Sequence, residues 1–225
     1  MRLIVVNSGF KWGILGASKF AFEQMAPAIH SAKGNSLVAL ATKDSKKAKK
    51  FLALSDTLNI HYDYNDLLED PNIDAVYIPL PNHLHIEWAM RCLKAGKHVL
   101  CEKPISMVAE EIDGLIELRD RTQLLAAEAY MVVHHPQWQL AKEFVDSGKL
   151  GKLVQIDGVF SYNNADDPMN IRNQAQYGGG GIPDIGVYPY GVSRFVTGLE
   201  PSEILFVDIV FENGVDTWAN VSAQF

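Results

Sequence analysis

Short apolar runs alternate with helix-patterned segments from residue 11 to about residue 128, and this alternation leaves the first half of the chain very few folds. Strand-length runs rich in Val, Ile, Leu and Ala lie at 11–15, 36–41, 74–78, 98–101 and 124–128. Helical patterning fills 20–32, 45–54, 85–94 and 109–121. Asn82 is placed to cap the third of these helices and Gly96 stands just past its end. Strands joined in turn by helices predict an α/β fold with a parallel, doubly wound sheet.

After about Tyr130 the pattern changes. A helix is expected at 139–147, ended by Gly148, and another near 185–197. Longer alternating strands are expected at 153–161, 204–211 and 218–225. This predicts a C-terminal α+β domain with a mostly antiparallel open sheet, incomplete where the sequence stops inside a strand. The expected domains are 1–128 and 129–225.

Composition excludes several partners. A net charge of -7 without a basic run argues against nucleic acid. No stretch approaches the roughly 20 apolar residues of a membrane span. Residues 1–6 are apolar but too short for a signal sequence. Cys92 and Cys101 form no C-x-x-C pair, which suits a reducing compartment. A soluble, cytoplasmic protein is expected.

Two motifs carry chemistry. Gly16-Ala17-Ser18-Lys19-Phe20-Ala21 follows a strand and opens a helix, and it fits G-x-G-x-x-G/A with Ser18 at the second glycine. Gly16 suits the tight turn, Ala21 the helix–strand packing, and the Ser18 hydroxyl can bond a phosphate of a dinucleotide. At the end of the second strand, Thr42 and Lys43 precede the first acid, Asp44. An NAD site usually has an acid there, whereas a hydroxyl and an ammonium suit a 2′-phosphate, so NADP is expected over NAD. The competing reading makes Lys43 one more charge on a lysine-rich helix start.

The second motif, Glu102-Lys103-Pro104, follows the apolar run Val99-Leu100-Cys101. The carboxyl ends of strands are where α/β sheets bind ligands, so Lys103 is a candidate proton donor held beside a carboxylate. The bland alternative is a surface ion pair before a turn. His134-His135 suggests no metal site, because adjacent side chains diverge and no convergent Cys, Asp or Glu accompanies them.

With these pieces in place, the chain resembles the glucose-fructose oxidoreductase / inositol dehydrogenase (Gfo/Idh/MocA) family. The resemblance rests on G-I-L-G-A-S-K-F-A from Gly13, Y-I-P-L-P-N-H-L-H from Tyr77, and A-G-K-H-V-L-C-E-K-P from Ala95. It rests also on H-P-Q from His135, S-G-K-L-G-K-L-V from Ser147 and G-G-G-G-I-P-D-I-G-V-Y-P from Gly178. The last segment looks most like the branch of dihydrodiol dehydrogenases, D-xylose dehydrogenases and glucose-fructose oxidoreductases, with Tyr188 where many relatives carry histidine. The resemblance implies an N-terminal Rossmann domain and a partial substrate-binding and dimerisation domain. It implies an NADP-dependent (or NAD-dependent) dehydrogenase moving hydride to or from a carbinol carbon of a sugar, polyol or cyclic diol.

Residue by residue, the resemblance puts Lys103 by the reacting carbon and nicotinamide ribose, with Glu102 orienting it. Asp184 and Tyr188 would face the substrate hydroxyl, Tyr188 as general acid/base, and their spacing of four puts them on one helix face. Leu80, Pro81, Asn82 and His85 match the family's segment toward the cofactor, joining Gly16, Ser18, Lys19, Phe20, Thr42 and Lys43. The competing readings make Asp184 a helix N-cap, Tyr188 a half-buried aromatic, Asn82 a cap and His85 a packing residue. Family members run about a hundred residues further, so this chain is expected to be a fragment or a shortened product. The alternative function is accordingly a non-catalytic NADP-binding sensor or an inactive paralogue. Apolar residues on both faces of the expected strands, among them Val154, Ile156, Val159, Leu205, Val207 and Ile209, predict a homodimer or higher homo-oligomer.

Overall fold

The computed structural model describes residues 9–55 and 58–225, so residues 1–6, assessed above as a leader, lie outside the described residues. The chain divides into two compact units, residues 1–129 and 130–225.

In the first unit the strands are β1 (Phe10–Leu15), β2 (Asn35–Ala41), β3 (Asn59–His61), β4 (Ala75–Ile78), β5 (His98–Glu102) and β6 (Ala126–Ala129). They form one six-stranded sheet in the order β3-β2-β1-β4-β5-β6, every pair parallel. The period-2 alternation of the strands decides the packing. Leu15, Val76, Ile78, Val99 and Cys101 point to one face, against α3 (Tyr64–Glu69), α4 (His85–Lys94) and α5 (Glu110–Thr122). Ile14, Leu40 and Tyr77 point to the other, against α1 (Ala26–Ser31) and α2 (Ser45–Leu52), and a register shift opposite Trp12 and Gly13 brings Leu37 to the same side. Covered on both sides, β4 is buried at every residue, as parallel sheets require.

The second unit has a smaller core. Val132, Val192 and Val196 are buried where α6 (Pro136–Asp146) packs on α7 (Val187–Thr197), flanked by Trp138, Ala141 and Val145. His135 caps α6 through its ring, accepting from the amide of Gln137 at 3.2 Å, and Pro136 takes the first helical position. Antiparallel β7 (Glu203–Glu212) and β8 (Val215–Gln224) form a hairpin. Its two-residue turn, Asn213-Gly214, has positive φ at both positions (52° and 81°), the geometry that matches strand twist.

The α/β class with its parallel sheet and small antiparallel sheet is as expected, with four corrections. Segment 153–161 is not a strand: Val154 and Val159 are 88% and 93% exposed, and the segment joins no ladder among the described residues. Alternating apolar residues favour extended backbone, but a strand needs a hydrogen-bonding neighbour. β3 and α3 went unread because both are short, and α3 starts with its cap, Asp63, whose side chain accepts from the amide of Asn65. The helix expected over 20–32 is present but not uniform, because a π-helical turn, Ala21–Met25, lies within it before α1. Asn82 opens a 3₁₀ turn, Asn82–Leu84, and does not cap α4, whose N-cap residue is Leu84.

Candidate active site

In the first unit the candidate residues collect at the carboxyl ends of β1, β2, β4 and β5. β1 lies between β2 and β4, so the chain leaves its carboxyl end toward one side of the sheet and later returns on the other. Such a switch point opens a crevice. Gly16 turns there with φ of +92°, and a Cβ on it would stand 2.8 Å from Leu80 Cδ2. Only glycine fits both the conformation and the space. Ser18 Oγ accepts from the amide of Ala21 at 3.0 Å, which leaves its hydroxyl proton for an anion. Lys19 and Phe20 are exposed beside it, Lys19 pairing with Glu23 at 3.8 Å.

At the end of β2, Thr42 is buried and its hydroxyl accepts from the amide of Asp44 at 3.2 Å, while Lys43 is exposed. Asp44 serves as N-cap of α2: its carboxylate accepts from the amides of Lys46 (2.9 Å) and Lys47 (3.1 Å). The Lys47 amide leads in holding the Asp44 carboxyl below the usual range, although burial opposes it. The first acid after β2 is therefore engaged by the helix it starts.

β4 and β5 are tied together at the crevice. Glu102 is the last residue of β5, and the Lys103–Pro104 peptide is cis. Fully buried Tyr77, in register with Leu100, donates its hydroxyl to Glu102 Oε1 at 2.5 Å. Burial raises the Glu102 carboxyl above its ordinary range, opposed by the Tyr77 hydroxyl, the Lys103 amide and the charges of Lys103 and His85. Burial, with Glu102 beside it, pushes the Tyr77 phenol upward. One step further on, the Ile105 amide donates to Glu128 Oε1 at 2.8 Å. Leu80 is buried and His85 has no exposed surface. Both ring nitrogens of His85 lie 2.7 Å from carbonyl oxygens, Nδ1 from Pro104 and Nε2 from Leu80.

In the second unit, Asp184 stands in a π-helical turn, Ile182–Gly186, directly before α7, and Tyr188 in the first turn of α7. The wider turn alters the one-face relation that regular helical spacing predicts. Asp184 is not the N-cap of either helix. Its Oδ2 accepts from the Tyr162 hydroxyl at 2.6 Å and pairs with Arg172 Nε at 2.8 Å. Burial, then the Asp184 carboxylate, pushes the Tyr162 phenol up to about 12. The Tyr188 ring stacks on Tyr130 at 5.8 Å and leans on Phe160 at 5.4 Å. With Met131, Val132, Trp138, Phe160 and Val192, it lines an apolar cavity of about 320 Å³. The glycine run before this turn is shaped by Asp216 of β8, which accepts from the Ile182 amide at 2.5 Å. Gly180, at φ of +130°, leaves no room for a Cβ against the Asp216 carboxylate.

Sequence reading missed Tyr77, Tyr162, Arg172 and Asp216. Tyr77 alone left a signal, as a polar tip in an otherwise apolar strand. The other three reach their partners across 22, 12 and 34 residues, which no local pattern encodes. Among the described residues, no group of three His, Cys, Asp or Glu side chains is placed to hold a metal, and no helix is long and apolar enough to cross a membrane.

Comparison with known proteins bears on both units. Residues 10–130 match the model of an oxidoreductase family with an NAD-binding Rossmann fold, and residues 138–225 match the GFO/IDH/MocA C-terminal domain. An uncharacterised oxidoreductase of Rhizobium meliloti is 43% identical over 92% of this chain and 62% of its own length. The dTDP-3,4-didehydro-2,6-dideoxy-alpha-D-glucose 3-reductase of Saccharopolyspora spinosa is 37% identical over 94% of this chain and 64% of its own length. The crystal structure of KijD10, a 3-ketoreductase from Actinomadura kijaniata in complex with NADP and TDP-benzene, superposes with a TM-score of 0.82 at 30% identity. It is matched over 95% of this chain and 65% of that one. The chain thus spans somewhat under two thirds of the length of these relatives. Both matched models, and identity sustained over nine tenths of the chain, give one conclusion: the chain belongs to the Gfo/Idh/MocA oxidoreductase family.

Proposed function

We propose that the protein is an NADP-dependent oxidoreductase that interconverts a carbinol and a ketone on a sugar, with a nucleotide-linked keto-deoxysugar as the first substrate to test. The observation that carries this reading is the crevice of the first unit, where a glycine turn that tolerates no side chain packs on Leu80, and His85 links Leu80 to Pro104, the residue after Lys103. The residues fit a dinucleotide. Gly16 and Ser18 would admit and bond the pyrophosphate, and Thr42 and Lys43 would meet the 2′-phosphate. The use of Asp44 as a helix cap supports NADP over NAD, because it removes the nearest acid from competition. The kinship with an NADP-bound ketoreductase and a dTDP-sugar 3-reductase supports both cofactor and substrate class.

A bound nicotinamide would supply or accept the hydride. Tyr188 would give the proton to, or take it from, the substrate oxygen as general acid/base. Asp184, held by Tyr162 and Arg172, would fix the start of α7 and with it Tyr188. Lys103 would stabilise the developing alkoxide, and Glu102 would orient it. We propose a homodimer through β7 and β8, supported by the exposure of Leu205, Val207 and Val210.

The reading is tested by NADPH absorbance with TDP-linked 3-keto-deoxysugars, aldoses and dihydrodiols. Turnover on one class is expected. Tight NADPH binding without turnover on any of them favours a non-catalytic nucleotide-binding protein, and absence of binding overturns the proposal.

A further inference from the structure

The carboxyl ends of β4 and β5 are joined by two side-chain ties, Tyr77 to Glu102 and the ring of His85 to Leu80 and Pro104. Lys103 lies between the two anchored residues. The first tie has a plain chemical reading, a phenol donating to a carboxylate. The second does not. A carbonyl oxygen only accepts, and a neutral imidazole carries one N–H, so it satisfies one carbonyl and sets a lone pair against the other. At 2.7 Å on both sides, and with no exposed surface to bring in water, a bare nitrogen facing a carbonyl would be an unmet and repulsive contact.

We propose that His85 is a positioning residue for Lys103, a buried ring protonated at both nitrogens that clamps the Leu80 and Pro104 carbonyls together. The proposal rests on the reading of Lys103 as a residue of the reaction centre. The clamp sets the carbonyl on the far side of the Lys103–Pro104 peptide, so it acts on the lysine's backbone and not on its ammonium. It also holds Leu80, the side chain that leaves Gly16 no room for a Cβ, so one ring fixes both borders of the crevice.

Two experiments test this. Ring-nitrogen NMR on protein with isotopically labelled histidine should show two slowly exchanging N–H protons on His85 near neutral pH. A single ring proton overturns the proposal, whether or not the protein turns over any substrate, so failure here is separate from failure of the enzymatic reading. The second is a comparison of His85→Gln with Cys92→Ala, a buried site on the same helix with no part in the clamp. A glutamine amide donates from one nitrogen and cannot span two opposed carbonyls. His85→Gln should lower kcat roughly a hundredfold, as for a displaced catalytic group, with KM for NADPH changed only a few-fold. Cys92→Ala should lower Tm while kcat stays at wild type. If both variants lose activity only in step with Tm, His85 is structural and the proposal fails.

Discussion

The two units hold their candidate residues by different means. In the first, the crevice rests on a sheet covered on both faces, and its frame is buried: Tyr77 and His85 have no exposed surface. In the second, the core is three valines, and Asp184 is held from the side by an arginine and a tyrosine that are both partly exposed. The first kind of site inherits its precision from the fold. The second depends on a local polar network and on aromatic stacking around Tyr188. Changes to the first site's frame should therefore cost stability as well as function, and changes in the second mainly function.

Lys103→Met separates chemistry from frame in the first unit and should have the largest effect. Turnover should be lost while NADP affinity, measured by NADPH fluorescence, stays close to wild type, because no phosphate contact is removed. Tyr188→Phe is the counterpart in the second unit. It should lower kcat by roughly 10²–10⁴ with unchanged Tm, since the phenyl ring keeps its stacking. A variant with wild-type kcat across pH would reduce Tyr188 to packing.

Gly16→Ala probes the frame directly. A positive φ and the Leu80 contact should together destabilise the protein by about 1–3 kcal/mol in denaturant unfolding, and NADP binding should weaken alongside. Loss of binding without loss of stability would break the link between fold and site. Lys43→Asp changes an exposed residue and so should leave Tm alone. It should shift the NADP-over-NAD preference by about 1–3 kcal/mol, the worth of one charge-assisted hydrogen bond, measured as a ratio of dissociation constants.

The smallest effect concerns Glu102. Its folded-state carboxyl lies above the ordinary value of 4.5, so between those two values the folded state holds more protons than the unfolded one. Stability then falls as pH rises through that window and stays lower above it. Glutamine does not titrate and still accepts from Tyr77. The stability of Glu102→Gln relative to wild type should rise with pH through that window and then level off, as read by unfolding at a series of pH values. A difference that shrinks with rising pH would mean that the partners of Glu102 outweigh its burial.

Legibility in the sequence follows the same division. β1, β2, β4 and β5 could be read because burial on both faces makes them continuous apolar runs, and Gly16 because its turn sits at a fixed place in such a unit. β3, with sequence Asn-Ile-His, has too little apolar pattern to register, although it pairs cleanly with β2. Segment 153–161 misled in the opposite sense: its alternation is that of a strand, but alternation does not supply a partner. Lys103, Glu102, Asp184 and Tyr188 were picked out by motif and resemblance. Tyr77, Arg172 and Tyr162 were not, because a hydrogen bond between distant residues leaves no periodicity.

The π-helical turn Ala21–Met25 has a consequence for how the glycine loop and the core coexist. An α-helix advances about 100° per residue, so the one extra residue that a π turn takes up would otherwise rotate all that follows by that amount. The buried positions show the offset: Ala21 and Ala26 are five apart, and Ile29 follows Ala26 by a regular three. The turn is a phase adjuster between two demands, one set by the loop at Gly16 and the other by the face that Ala26 and Ile29 present to the sheet. A uniform α-helix over the same residues would swing Ile29 about 100° off the core, whereas deleting one residue between Phe22 and Met25 would let a regular helix keep Ala26 and Ile29 on the face of Ala21. With the turn in place, the loop can change its sequence while the helix behind it keeps its register.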